Sequence, residues 1–304
     1  MPNRKLEKLI LRSFSCQKKI KYPRTLPQIG RYLAIVKIKN EADEKQEPKE
    51  YSLYQIKKVL EKLIQEKIIT EQKGLYWILR KKKSPNKKNR KTWLSFIQRE
   101  KISQKKINLA RKALRFFTLI PGLKGLFICG SVARKVSSTK SDIDFLILTR
   151  KNRVWTTRFL LTILTFFLGH KTIDKQSRQN KFCLNHFRSE NKLSLEKYLQ
   201  KLYPAEEYAQ MINLYSEKKI IEKFYRANQV WMRKILPYFN FIKPPLYSRE
   251  TSLAKNNFLG NWIEKFLYYL QIQKINHHNQ QFQKLDKQRI VIDNEVIMFH
   301  LNPK

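Results

Sequence analysis

The stretch from Leu123 to Leu148, LKGLFICGSVARKVSSTKSDIDFLIL, constrains the fold of this chain more than any other part of the sequence. It begins with a continuously apolar run that ends in glycine, which is the pattern of a buried strand. A second apolar run follows, and Asp142 and Asp144 stand at its start, one residue apart. Because successive side chains of a strand point to opposite faces, the two carboxylates project from the same face. The stretch predicts two buried strands joined by a turn and a short helix, with an acidic pair beginning the second strand.

The residues between the two strands have the chemistry of a phosphate site. Gly130 and Ser131 stand where the first strand gives way to the helix, and backbone N–H groups at such a point face open space. A glycine lets a phosphate approach the backbone, and the serine hydroxyl adds a donor. Two adjacent carboxylates repel each other, and a hard divalent cation such as Mg²⁺ removes that repulsion. The sequence therefore predicts a phosphate site beside a magnesium site.

These residues resemble the motif of the polymerase-beta-type nucleotidyltransferase superfamily, in particular its minimal members. The motif is a glycine–serine pair at a strand end followed by Asp-x-Asp on the adjoining strand, here eleven residues after Ser131. Lys135 departs from it, because those proteins commonly have glycine there. The positions that match are Gly130, Ser131, Ala133, Arg134, Ser141, Asp142 and Asp144.

The resemblance implies a mixed sheet flanked by helices and an enzyme that moves a nucleoside monophosphate from a nucleoside triphosphate to an acceptor hydroxyl. Gly130 and Ser131 would hold the terminal phosphates, and Asp142 and Asp144 would be catalytic residues that ligate Mg²⁺. Arg134 would either help to neutralise the triphosphate or be a solvated helix arginine. The acceptor and the base of the nucleotide are left open.

Active members of the family usually offer a third carboxylate on a later strand. The run KFCLNHF is the best candidate for that strand, and strict alternation puts Cys183, Asn185 and Phe187 on one face. Asn185 then stands where the acid is expected, as a catalytic residue that can orient a metal-bound water but cannot act as a base. His186 is either a base or an ordinary strand histidine. Two functions stay open: a working nucleotidyltransferase, or a catalytically impaired protein of the same fold that binds nucleotide or nucleic acid as a regulator.

The N-terminal quarter reads as three helices followed by a small hairpin turning at Lys73–Gly74, the element order of a winged helix. It resembles that family. In a DNA-binding member the third helix, here from Ser52 to Lys67, enters the major groove. Its exposed face would be basic, although winged helices also serve in packing and protein contacts. The lysines predicted for that face are Lys57, Lys58, Lys62 and Lys67.

Charge and composition bear on partners and location. The 304 residues include 64 Lys and Arg against 24 Asp and Glu, a net charge of +40. This excess favours DNA or RNA as a partner, or else reflects an AT-rich coding sequence. Three cysteines without a CxxC pair predict a reducing, cytoplasmic location. The run FLLTILTFFLG, from Phe159 to Gly169, is too short to span a bilayer, so we expect a buried helix rather than an interfacial one.

The sequence as a whole predicts an α+β protein built from four consecutive segments. The core of this arrangement is the nucleotidyltransferase sheet, and the C-terminal segment is expected to be mainly helical, with a closing hairpin that turns at Asp293–Asn294. The segments are a winged-helix-like domain at 1–82, a basic linker and connecting helix at 83–118, a nucleotidyltransferase core at 119–202, and a helical region at 203–304.

Overall fold

The computed structural model describes residues 4–15, 23–31, 33, 51–79, 85–170, 180–236, 245–248, 258–280 and 290–299. Helices and strands combine in a mixed arrangement, which confirms the α+β class. The chain divides into two compact units that do not follow the four consecutive segments predicted. The first unit comprises Met1–Gln98, Glu196–Ala209 and Gln229–Phe241, and the second comprises Arg99–Leu195, Gln210–Asn228 and Ile242–Lys304.

The first unit contains a small bundle of helices with a three-stranded antiparallel sheet in the strand order β1-β3-β2. Its core is formed by apolar residues of α1, α2 and α3, including Ile10, Ile29 and Leu60. The elements are α1 (Arg4–Ser15), β1 (Arg24–Thr25), α2 (Leu26–Arg31), α3 (Leu53–Gln65), β2 (Ile69–Gln72) and β3 (Leu75–Ile78).

Local chemistry explains where these elements start and turn. Ser52 caps α3 through a capping box, in which its hydroxyl accepts from the backbone N–H of Gln55 and the Gln55 side chain accepts from that of Ser52. Lys73 and Gly74 have φ values of 52° and 76° and form the tight turn predicted between β2 and β3. On the apolar face of α3, Leu53 is 48% exposed and Ile64 is partly exposed, while the other members, Ile56, Val59, Leu60 and Leu63, are buried.

The second unit is built on a six-stranded mixed sheet in the order β7-β4-β5-β6-β9-β8. Strand β5 pairs antiparallel with β4 and parallel with β6, so the strand that carries Asp144 has neighbours on both sides. The predicted order of strand, glycine–serine turn, short helix and strand is confirmed. The strands are β4 (Leu123–Ile128), β5 (Ile143–Thr149), β6 (Phe182–Ser189), β7 (Ile212–Ser216), β8 (Ile290–Ile292) and β9 (Val296–Phe299).

A large hydrophobic core covers one face of this sheet. Ile143, Phe145 and Ile147 alternate along β5 and all enter it, while Phe117 makes edge-to-face contacts with Phe145 and Phe182. On α9, Glu264 accepts from the backbone N–H groups of Trp155 and Thr156 at the start of α6. The remaining helices are α4 (Pro85–Phe117), α5 (Gly130–Ala133), α6 (Val154–Phe167), α7 (Leu202–Gln210), α8 (Lys218–Ile235) and α9 (Phe258–Gln280).

The structure differs from the predicted segmentation at two points. Residues 85–91 belong to α4 rather than to a linker, because Pro85 stands at the helix start, where its missing N–H has no intrahelical acceptor. The described part of the segment 203–304 is mainly helical, as α7, α8 and α9 show, but it also supplies β7, β8 and β9 to the sheet. Ile212 lies in β7, and Val230 of α8 is 64% exposed. The closing hairpin around Asp293 is confirmed.

The apolar run that begins at Phe159 lies in helix α6, as expected, but the side chains of this helix are unevenly buried. In α6, Trp155 and Leu161 are fully buried, whereas Phe166 and Phe167 are 53% and 79% exposed. Trp262 and Phe266 of α9 also stack on each other in solvent, although the burial preference of aromatic side chains predicts core positions. Among the described residues, no helix is both long enough and apolar enough to cross a membrane.

Candidate functional site

The glycine–serine turn lies against the acidic pair. Strand β4 ends at Ile128, opposite Phe145 of β5, and the backbone N–H of Cys129 donates to the carbonyl of Asp144 at 2.8 Å. This pairing fixes Gly130 and Ser131 beside the first residues of β5. The structure thus brings together the residues that the sequence assigns to phosphate and to metal.

Gly130 approaches the Asp144 side chain so closely that no other residue fits. Its φ of +64° lies in the left-handed region, and a Cβ built there would overlap Oδ2 of Asp144. Any substitution would therefore strain the backbone and push the carboxylate away. Gly130 therefore has two roles. Its left-handed backbone forms the turn, and its lack of a side chain leaves room for the Asp144 carboxylate to face the turn.

A cysteine from the next strand joins the acidic pair. One oxygen of Asp142, one oxygen of Asp144 and Sγ of Cys183 all lie within 4.8 Å of one another, and all three residues are partly exposed. The Cα partner of Asp144 on β6 is Cys183. The described residues contribute no third carboxylate to this group. Cys183 is thus the residue of β6 that joins the acidic pair, and the prediction that Asn185 occupies the place of the third acid stays a prediction.

An irregularity in β6 interrupts the strict alternation that the sequence predicts. Asp144 pairs with Cys183 and Leu146 pairs with His186, so β6 uses one more residue than β5 over the same length. The insertion of one residue in this way is a β-bulge, which ends strict alternation. As a result Phe182 and Phe187 enter the same hydrophobic core, although they are an odd number of residues apart. Asn185 lies within the irregular interval and is partly exposed; its predicted catalytic role stays a prediction.

His186 is engaged by its neighbour on the strand. Its Nε2 accepts a hydrogen bond from Nε of Arg188 at 3.2 Å. Although the residue keeps some exposure, burial and the Arg188 charge hold the pKa of His186 well below its usual range. The Arg188 guanidinium is itself buried and donates to the carbonyls of Lys192 and Ser194. This arrangement favours the reading of His186 as a structural strand histidine over that of a base.

A buried lysine that sequence reasoning missed lies behind the acidic pair. Lys106 on α4 is 2% exposed, and its ammonium donates to the Ser138 carbonyl at 2.7 Å, the Ser141 hydroxyl at 3.0 Å and the Ser141 carbonyl. Burial lowers the pKa of Lys106, and the charges of Asp142 and Asp144 oppose the shift. All three donors of the ammonium have acceptors, so the side chain fixes the loop that leads into Asp142.

The same loop is held by a second contact from α4. The Ser103 hydroxyl accepts from the backbone N–H of Ser137 at 3.0 Å, and the Ser137 and Ser141 hydroxyls are 2.6 Å apart. Lys106 falls on the apolar stripe of α4 that includes Ile107, Ala110 and Phe117. A lysine on a buried helix face was the signal in the sequence, since lysine is almost never fully buried without partners.

Arg134 and Ser131 keep their predicted places near the turn. Nε of Arg134 donates to the carbonyl of Gly130 at 3.1 Å, so this side chain connects the end of the short helix α5 to the turn at its start. Both residues are partly exposed. The contact gives Arg134 a structural use, and its predicted role toward a triphosphate stays a prediction.

Lys135 stands where the motif that the sequence resembles commonly has glycine, and its backbone conformation leads to a prediction about stability. Lys135 has a φ of 60°, the left-handed conformation that glycine adopts most easily, which costs another residue about 1–2 kcal/mol. Its exposed ion pair with Glu100 at 3.0 Å contributes little. We expect Lys135→Gly to raise the free energy of unfolding by about 0.5–1 kcal/mol in urea denaturation. Lys140→Gly, at an exposed position of ordinary φ, should lower it, and a loss of stability in both variants would contradict this account.

Comparison with known proteins adds no relative. No protein-family model matches the chain, and neither the curated proteins nor the solved structures contain a match.

Proposed function

We propose that this chain is a magnesium-dependent nucleotidyltransferase of the polymerase-beta type, which transfers a nucleoside monophosphate from a nucleoside triphosphate to an acceptor hydroxyl. One observation carries the proposal: the Asp142 and Asp144 carboxylates converge beside a turn whose glycine is in contact with Asp144. A cation site and a phosphate site side by side are what this reaction needs, since its substrate is a metal-bound triphosphate.

The donor atoms suit a divalent cation. Two carboxylate oxygens on one strand repel each other in the absence of a cation, and hard cations prefer oxygen ligands and keep some of their waters. Asp142 and Asp144 would hold the ion, and both are open enough to solvent for phosphate oxygens to reach it. When bound, the ion supplies charge neutralisation at the triphosphate and at the attacking and leaving oxygens.

The protein groups would orient the triphosphate. Gly130 sets the turn beside Asp144, and the backbone N–H groups and the Ser131 hydroxyl at this turn would serve as donors to phosphate oxygens. Lys106 keeps the Ser138–Ser141 loop in place, so that Asp142 does not have to be ordered when substrate binds. The acceptor oxygen forms a bond to the α-phosphorus while the bond from that phosphorus to the bridging oxygen breaks. Pyrophosphate leaves, and the acceptor proton passes to solvent.

Label transfer tests the proposal. Purified full-length protein is incubated with Mg²⁺ and each of the four nucleoside triphosphates labelled at the α-phosphate, with and without a lysate as a source of acceptors. We expect label on the protein or on a lysate component with at least one nucleotide, and none after chelation. Label that is indifferent to chelation, or no label with any nucleotide, would overturn the proposal.

A second candidate is a catalytically impaired protein of this fold that binds nucleic acid as a regulator. The net charge of +40 favours it, as does the element order of the first unit, which is that of a winged helix. Acidic side chains, however, pair with two of the lysines on α3, the helix predicted to enter the groove. Lys62 pairs with Glu7 at 3.0 Å and with Glu66 at 3.5 Å. Lys57 lies 3.9 Å from Glu61.

The pairing of these lysines gives a prediction for nucleic-acid binding. We expect the triple variant Lys57→Ala, Lys58→Ala and Lys62→Ala to change the salt slope of binding to random duplex by less than about one, measured by gel shift over a salt series. A triple variant at the exposed residues Lys105, Lys112 and Lys140 controls for the lost net charge. A fall in slope of about two to three in the first variant alone would assign phosphate contacts to α3 and contradict the prediction.

A further inference from the structure

Cys183 stands where the proposed site lacks an acid. It is the β6 partner of Asp144, and its Sγ shares a group with one oxygen each of Asp142 and Asp144, all within 4.8 Å. The three side chains come from two adjacent strands and are partly exposed, so an ion and its remaining ligands can reach them. Cys129, by contrast, is buried, which makes the two described cysteines a natural pair for comparison.

We propose that Cys183 is the third protein ligand of the cation site, and that the site takes a thiophilic first-row divalent ion such as Co²⁺ or Zn²⁺ more tightly than Mg²⁺. The inference deepens the proposed function and rests on it for the role of the ion. Magnesium prefers oxygen ligands throughout, whereas thiolate sulfur selects softer ions. The replacement of an expected acid by a thiol therefore changes the preferred metal rather than merely removing a ligand.

The spacing of the donor atoms is close to that of one coordination sphere. With metal–ligand bonds of about 2.0–2.3 Å, two ligand atoms of a tetrahedral ion lie about 3.3–3.8 Å apart. The three donor atoms lie within 4.8 Å of one another, so side-chain rotation that shortens these separations would complete the site. On coordination the Cys183 thiol gives its proton to the buffer, because the thiolate is the form that binds metal.

The bulge in β6 makes this position distinct from its neighbours. The extra residue between Cys183 and His186 lets Cys183 pair directly with Asp144 while Phe187 returns to the core. A regular strand in register at Leu146 would place Leu184 opposite Asp144 instead. The irregularity therefore puts a metal-binding atom, rather than an apolar side chain, beside the acidic pair.

Cobalt spectroscopy tests the inference independently of catalysis. Full-length protein freed of metal is titrated with Co²⁺, and the thiolate-to-cobalt charge-transfer absorption in the near ultraviolet is recorded. We expect the band in the wild type and in Cys129→Ala, and its loss in Cys183→Ser together with at least about a tenfold weaker affinity for Co²⁺. The serine replacement is nearly isosteric and at a partly exposed site, so it is expected to fold; equal denaturation midpoints check this.

A second variant tests the metal preference. Cys183→Asp supplies the oxygen ligand that the family motif would have, and we expect it to lose the cobalt band and to bind Mg²⁺ more tightly than the wild type. A band that survives Cys183→Ser, or Co²⁺ binding by the wild type without a band, would overturn the role of Cys183.

The two proposals fail in different ways. A Cys183-dependent band in a protein that transfers no label supports Cys183 as a metal ligand and contradicts the proposed nucleotidyltransferase activity. Magnesium-dependent label transfer by a protein without the band supports the proposed nucleotidyltransferase activity and contradicts the role of Cys183 as a metal ligand.

Discussion

Asp144→Asn is expected to reduce nucleotidyl transfer by about 10³-fold. Removing one anionic oxygen from the pair weakens the hold on the ion that neutralises the triphosphate, and a bound metal supplies several kcal/mol of transition-state stabilisation, with about 1.4 kcal/mol for each factor of ten. The measurement is the initial rate of label transfer at saturating nucleotide, alongside the affinity for the cation.

A matched control separates the site from general charge effects. Glu100→Gln makes the same change of charge in the second unit, at a side chain that is 43% exposed and paired only with a surface lysine in the contacts seen. We expect its rate to stay within about twofold of wild type. Equal rates for wild type and Asp144→Asn would refute the assignment of Asp144 as a metal ligand.

The stability of Asp144→Asn tells loss of chemistry from loss of fold. Neutralising one of two neighbouring carboxylates relieves their repulsion, so the midpoint of chemical denaturation without metal should equal or exceed that of the wild type. A lower midpoint would mean that the lost activity reports unfolding.

Lys106→Met is expected to lower the free energy of unfolding by on the order of 3 kcal/mol. Methionine fills a similar volume, but the Ser138 carbonyl, the Ser141 carbonyl and the Ser141 hydroxyl lose their shared donor. The Ser138 carbonyl and the Ser141 hydroxyl keep other hydrogen bonds within the loop, so the loss is that of hydrogen bonds to a charged donor, about 1.5–3 kcal/mol each, and partial exposure of the loop keeps the total at about 3 kcal/mol. Urea denaturation of the full chain measures the change.

The neighbouring lysine provides the control for this variant. Lys105 is adjacent on α4 and exposed, so Lys105→Met should change stability by no more than about 0.5 kcal/mol. Similar losses for both variants would mean that the three contacts of Lys106 contribute nothing specific.

The part of the site that could be predicted from the sequence consists of residues close together along the chain. The apolar run of β4, the turn at Gly130 and the alternation that pairs Asp142 with Asp144 depend only on local chemistry, and each element appears where the sequence indicates. The left-handed backbone at Lys135 was not predicted, although the motif that the sequence resembles commonly has glycine at that position.

The parts that failed depend on partners far along the chain. Strand β7 is five residues between two helices, and only its pairing with β4 makes it a strand. The bulge in β6 leaves no mark on composition, so an alternating pattern could not predict that Cys183 lies opposite Asp144. The apolar helix face on which Lys106 lies is visible in the sequence, but its acceptors on the distant Ser138–Ser141 loop are not.

The pairing of β6 with β9 has a consequence for how the molecule assembles. His186 lies opposite Met298, so the contact joins residues more than a hundred positions apart, and such distant pairings form slowly. Until β9 docks, β6 is an edge strand whose free N–H and C=O groups can recruit another chain. We therefore expect damage to the closing hairpin to appear first as aggregation during refolding, before any change at Asp142 and Asp144 can be measured.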